Sequence, residues 1–298
     1  IQALVIAILG LVATGNALYF ALWTLGRLRG QPLLAPVWSA ADVFLALQAV
    51  VVILLGAGCG VSVLLGLALP VEVRSVPARY AAAVSEAALF PLMLLQQCAL
   101  VGVPVALVCL RYGGKPADLG LSAPDARFRR QLAFGVAAAV LLLPISDLLE
   151  VLSRQWLLES GRLPFTSELR ELSEQMNAVR VLEPLRAQPA KLAAMAAIIG
   201  IVGPIAEEVF FRGFAYQALR RRFGATAGIF TSALLFAVVH GNPVGLVPIF
   251  GIGIVLAFLY ERTGSLAAPI GLHCANNLLV VAMFVVAPKF SFWDWLFR

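Results

Sequence analysis

The chain has 298 residues, 61% hydrophobic and 13% charged, with a mean hydropathy of +0.93; soluble globular domains carry roughly 25% charge, so this composition excludes one and marks an integral membrane protein. Its formal charge of +6, from 22 Lys+Arg against 16 Asp+Glu, lies in short connectors between apolar runs, where it reads as a topology signal and excludes a nucleic-acid partner. The four cysteines, Cys59, Cys98, Cys109 and Cys274, fall inside apolar runs without a CxxC or a framework spacing, as small buried hydrophobes do.

In chain order, about eight runs reach the roughly 20 apolar residues a spanning helix needs: 1–25, 37–69, 80–110, 131–153, 190–219, 225–241, 244–260 and 266–287. The expected fold class is therefore all-α, a polytopic membrane protein with its helices in one bundle. The first run lacks a basic leader and a cleavage site, so it reads as a span rather than a removable targeting peptide, and the absence of an initial Met points to a missing native N-terminus. The second and third runs exceed one span and are expected to tilt, bend or project. Pro91, Pro104, Pro144, Pro204 and Pro269 mark kinks or helix starts. Residues 111–130 form a Gly/Pro-rich basic loop. Within 154–190, Leu169, Leu172, Met176 and Val179 recur at helical spacing among charges, the pattern of an amphipathic helix on the membrane or over the domain.

Basic residues concentrate in the first, third and fifth connectors: Arg27 and Arg29; Arg111, Lys115, Arg127, Arg129 and Arg130; Arg220, Arg221 and Arg222. The positive-inside rule places these loops in the cytoplasm and both termini on the far side.

Ionisable groups inside a span are costly and mark candidate functional sites. The strongest set comes from three of the later helices: Glu207, Glu208 and Arg212 on the fifth, His240 on the sixth, His273 and Asn277 on the eighth. His240 and His273 are the two histidines of the chain. From the helical rise, Glu207 lies roughly 20 Å and His240 roughly 24 Å from the Arg220–Gly224 side, and His273 and Asn277 roughly 10–17 Å in, so all four can meet in one slab. Glu208 and Arg212, spaced i,i+4, can pair on one face, which leaves Glu207, turned about 100° away, free to point elsewhere. A carboxylate with an imidazole can hold and deprotonate water, and a second imidazole with an amide can donate to an oxyanion, a set sufficient for amide hydrolysis. Glu86, Asp147 and Glu150 are further intramembrane groups that either line a cavity or sit at an interface. Asn276 is read as facing away from its neighbour's partners.

The ordered motifs EExxxR (Glu207, Glu208, Arg212), FxxxH (Phe236, His240) and HxxxN (His273, Asn277) resemble those of the CAAX protease and bacteriocin-processing (CPBP, or Abi) family of intramembrane proteases. The resemblance covers roughly 190–287 and divides the chain into N-terminal transmembrane helices (1–153), an amphipathic connector (154–190), a catalytic-type core (190–287) and a tail (288–298). It implies an endopeptidase in an eight-helix bundle with a conical cavity open to water. By that analogy Glu207 and His240 activate water, His273 and Asn277 stabilise the oxyanion, and Glu208 and Arg212 orient the site.

The family has been described both as metal-dependent and as glutamate-dependent. Zinc is a possible cofactor, with Glu207, His240 and His273 as candidate ligands, but no HExxH preassembles a site, Cys274 points about 100° from His273, and the balance falls against an obligatory metal. The expected partners are a peptide or protein substrate and the lipid bilayer. The compact chain and scant lysine point to a bacterial cytoplasmic (inner) membrane. A proton- or ion-coupled transporter and a non-catalytic immunity or scaffold protein of the same fold are the alternative readings.

Overall fold

The structure, a computed structural model, describes residues 38–121, 125–160, 165–175 and 181–286. The first expected span, Met176 and Val179 of the amphipathic stripe, and the tail lie outside the described residues. The chain divides between Asp118 and Leu119 into two compact units, both all-α among the described residues.

In the first unit, helix α1 (Ala40–Ala68) starts at a capping box, in which the Asp42 carboxylate accepts the Ser39 backbone N–H at 2.8 Å. Helix α2 (Pro77–Ala106) begins on a proline, whose missing N–H costs nothing in a first turn. It runs on as a π-helix over Leu107–Arg111. The buried Asp42 ties the two together: it pairs with Arg111 at 3.0 Å and accepts the Tyr112 hydroxyl at 2.7 Å. Elsewhere α1 turns large aliphatic side chains such as Val63, Leu64 and Leu67 outward, a surface suited to lipid.

The second unit opens with helix α3 (Ala126–Arg154), N-capped by Asp125, which accepts the Phe128 N–H at 2.7 Å, and continued by a π-helix over Gln155–Glu159. Helix α4 (Thr166–Gln175) is the amphipathic connector helix and packs against that π-helix. Then come α5 (Pro189–Phe223), α6 (Ala225–Val239), α7 (Leu246–Thr263) and α8 (Ala267–Val286). Gly224 (φ 83°) makes the sharp α5–α6 turn, and Gly264 (φ 62°) caps α7 in the left-handed conformation.

Six described helices are long and apolar enough to cross a membrane: Ala40–Ala68, Glu86–Arg111, Ala126–Glu159, Pro189–Phe223, Leu246–Thr263 and Ala267–Val286. The run expected at 225–241 is instead a 15-residue helix, α6. At 1.5 Å per residue it rises roughly 22 Å, less than the roughly 30 Å hydrocarbon core. Its C-terminal end, and His240 with it, therefore stops within the apolar slab when its arginine-flanked start sits at the interface.

Two features of this unit position the site. The first is close packing of α3 against α8: a Cβ on Gly135 would lie 2.0 Å from the Ala268 carbonyl oxygen, and one on Gly271 would lie 2.3 Å from that of Leu132. Glycine lets the backbones touch there, as small residues do between membrane helices. Ala139, Leu256, Leu259, Ala268 and Leu272 form the core around this contact. The second is the irregularity of α5, which alternates between α and π segments: Pro189–Ala197 α, Ile198–Val202 π, Gly203–Glu208 α, Val209–Tyr216 π and Gln217–Phe223 α. Pro204 supplies part of the cause. It has no N–H for the i−5 carbonyl of Ile199, and Asn277 Nδ2 on α8 donates to that oxygen at 3.0 Å.

Candidate active site

The site is assembled from α5, the end of α6 and the middle of α8. Glu208 and Arg212, both fully buried, pair at 2.9 Å on one turn of α5. The second guanidinium nitrogen of Arg212 donates to the Gly253 carbonyl on α7 at 3.3 Å, and its Cζ lies 4.5 Å from the Phe236 ring centroid, within cation–π range. A buried guanidinium is thus compensated by an anion, a carbonyl and a π face.

Glu208 Oε1 has a second partner: His273 Nδ1 lies 2.8 Å away. An ionised carboxylate only accepts, so His273 donates from Nδ1, which leaves Nε2 on the far side of the ring from Glu208. His240 reaches the same state differently. Its Nδ1 lies 2.6 Å from the Phe236 carbonyl oxygen, which also only accepts. Both rings meet Phe236 edge to face, at 4.7 Å for His240 and 5.7 Å for His273.

The two Nε2 atoms converge on one oxygen. Glu207 Oε2 is 3.9 Å from His240 Nε2 and 3.8 Å from His273 Nε2. That oxygen is buried and has no hydrogen-bond partner. Leaving such a group unpaired in an apolar surrounding costs several kcal/mol, about what a bound water or substrate group would recover. The separations are too long for direct hydrogen bonds and suit one small bridging group.

Asn277 is not in contact with this cluster: its amide is engaged with Ile199, and its Oδ1 is 3.5 Å from Asn276 Nδ2. Asn276, read from the sequence as facing away, is buried and leans on Asn277. The Glu208–His273 hydrogen bond was not anticipated either, because no local spacing links residues 65 apart. Cys274 turns its thiol to the Ile201 carbonyl at 3.8 Å. Glu150 pairs with Arg154 at 3.6 Å, half exposed, and lines a small polar cavity with Ser173 and Asn242.

Glu207, His240 and His273 are donor types that zinc takes. Nevertheless, among the described residues no three His, Cys, Asp or Glu side chains are gathered closely enough to hold a metal ion. The donor set fits a metal in kind.

Comparison with known proteins bears on the same helices. Residues 189–279 match the family model described as type II CAAX prenyl endopeptidase Rce1-like. The matched residues hold the whole cluster, from Glu207 to His273, and Asn277 as well. Among curated proteins, the chain is 33% identical over 110 residues to a Bacillus subtilis (strain 168) protein described as "Putative membrane peptidase YdiL", covering 37% of this chain and 43% of that protein. It is 30% identical over 106 residues to the "Membrane-embedded CAAX protease MroQ" of Staphylococcus aureus (strain USA300), covering 33% of this chain and 42% of that one. The chain thus matches less than half the length of either relative. No solved structure matches the chain.

Proposed function

We propose that this protein is an intramembrane endopeptidase that hydrolyses a peptide bond of a membrane-associated peptide or protein. Glu207 and His240 activate the attacking water, and His273 and Asn277 stabilise the oxyanion. The observation that carries the reading is the convergence of two imidazole Nε2 atoms on the unpartnered Oε2 of Glu207, within a segment that matches a peptidase family model.

Proton accounting makes the roles specific. A water among these atoms has two protons to offer three acceptors, Glu207 Oε2 and two Nε2 lone pairs, so one imidazole must be protonated for every contact to be favourable. His273, braced through Nδ1 by Glu208, is the better placed to hold that proton and donate from Nε2.

The water then gives a proton to Glu207 while its oxygen adds to the scissile carbonyl carbon. The oxyanion accepts from His273 Nε2–H and from the second amide proton of Asn277, the first being used on Ile199. Glu207 returns its proton to the leaving amine as the C–N bond breaks. This route needs no step through zinc.

The proposed setting is a bacterial cytoplasmic membrane with the arginine-rich connectors in the cytoplasm. The substrate class is a peptide precursor or membrane protein, prenylated or not.

The test is to reconstitute the protein in liposomes with a library of apolar peptides in H2(18O) and analyse products by mass spectrometry. The expected product carries one 18O in its new carboxyl group, in equal yield after chelator treatment. Intact peptides throughout would reject the peptidase reading, and cleavage lost to a chelator and restored by zinc would reject the metal-free route.

A further inference from the structure

The two histidines are held very differently. His273 is 5% exposed and braced by a carboxylate, whereas the His240 side chain is 32% exposed, with one hydrogen bond to the carbonyl of its own preceding turn. His240 is also the C-cap of its helix, just past Val239, and is followed by the connector Gly241–Gly245, where Gly241 adopts φ 64°. Where its Nε2 points therefore depends on what fixes that connector.

Inside the connector, Asn242 Oδ1 accepts the Gly245 N–H at 3.0 Å, which shapes the turn but does not anchor it. The anchor comes from α4: the Ser173 hydroxyl accepts the Val244 N–H at 3.3 Å across 71 residues. Ser173 and Val244 are both buried.

The face that α4 presents inward differs from the leucine stripe expected there. Leu172 is exposed, Leu169 is half-buried, and the most buried position among those described on α4 is a serine, one turn after Leu169. A serine in a packed position is explained by what its hydroxyl holds. Beside it lies a polar cavity of about 30 Å³, room for about one water, lined by Arg154, Asn242 and Val244 among others. The contact therefore sits where α4, the end of α3 and the His240 connector meet.

We propose that Ser173 is a positioning residue: through Val244 it fixes the Gly241–Gly245 connector and so aims His240 Nε2 at Glu207. The amphipathic connector helix is then part of the catalytic apparatus rather than a surface appendage. The inference rests on the peptidase reading.

Because the chain contains two histidines, imidazole NMR of the histidine-labelled full protein in detergent or nanodiscs gives two sets of signals, assigned with His240→Ala. Ser173→Ala is expected to shift or broaden the His240 signals while those of His273 stay in place. It is also expected to lower kcat about tenfold at unchanged KM, in keeping with the sensitivity of catalysis to misplacement. Ser173→Thr, which retains the hydroxyl, is expected to restore both. His240 signals unmoved by Ser173→Ala, signals of both histidines moving together, or a change in KM alone would overturn the positioning role. Full cleavage by His240→Ala would instead overturn the peptidase assignment of His240, whatever Ser173 does.

Discussion

Glu208 Oε1 accepts from two donors, Arg212 at 2.9 Å and His273 at 2.8 Å, with both α5 side chains fully sealed from solvent. A single carboxylate thus neutralises a buried cation and selects the tautomer of an imidazole. Removing one partner of such a pair leaves the other charge buried and unpaired, at a typical cost of about 3–5 kcal/mol. Glu208→Ala is therefore expected to lower the thermal midpoint in detergent by several degrees, while Glu208→Gln, which keeps an acceptor oxygen in place, is expected to lose less. A Glu208→Ala protein melting with the wild type would contradict the pairing. The i,i+4 spacing made the Glu208–Arg212 half of this arrangement legible in the sequence. The His273 half was not, because it depends on how α8 is rotated against α5, which no local pattern encodes.

At the scale of elements, the site depends on how closely α8 approaches α3. Gly271 stands two residues before His273, and a methyl group there would lie 2.3 Å from the Leu132 carbonyl oxygen, closer than any real Cβ contact. Gly271→Ala must therefore push α8 outward. The displacement would carry His273 away from both Glu207 and Glu208. The variant is expected to unfold at lower temperature and to lose at least about tenfold in kcat, since misplacement by about 1 Å can cost a hundredfold. A protein unchanged in both measurements would show that the helices have room to spare.

Hydropathy located the described helices because apolar length is what a bilayer selects. It could not show that α5 widens into π turns at Ile198–Val202 and Val209–Tyr216, or that α6 ends after 15 residues. Pro204 was visible as a disruption, but its partner was not: the carbonyl it leaves free belongs to Ile199, and the amide that takes it up is Asn277. Asn277, to which the family resemblance gives an oxyanion role, is in the structure a strut between two helices.

For the molecule as a whole, membrane residence was readable from composition, and the grouping of charged residues on later helices was readable from their order along the chain. The Rce1-like segment, residues 189–279, contains the whole cluster, and Ser173, Val244 and the small cavity beside them lie in the same compact unit as that segment. Everything in the proposed chemistry turns on one carboxylate oxygen, Glu207 Oε2, buried without a partner between two imidazoles. Glu207→Gln keeps the shape and removes the base, so the direct measurement is kcat for peptide cleavage by purified, reconstituted wild type and Glu207→Gln, with thermal unfolding of both. The account predicts a fall in kcat of roughly 10²–10⁴-fold, the usual contribution of a general base, at an unchanged unfolding midpoint. Cleavage by Glu207→Gln within twofold of the wild type would contradict it.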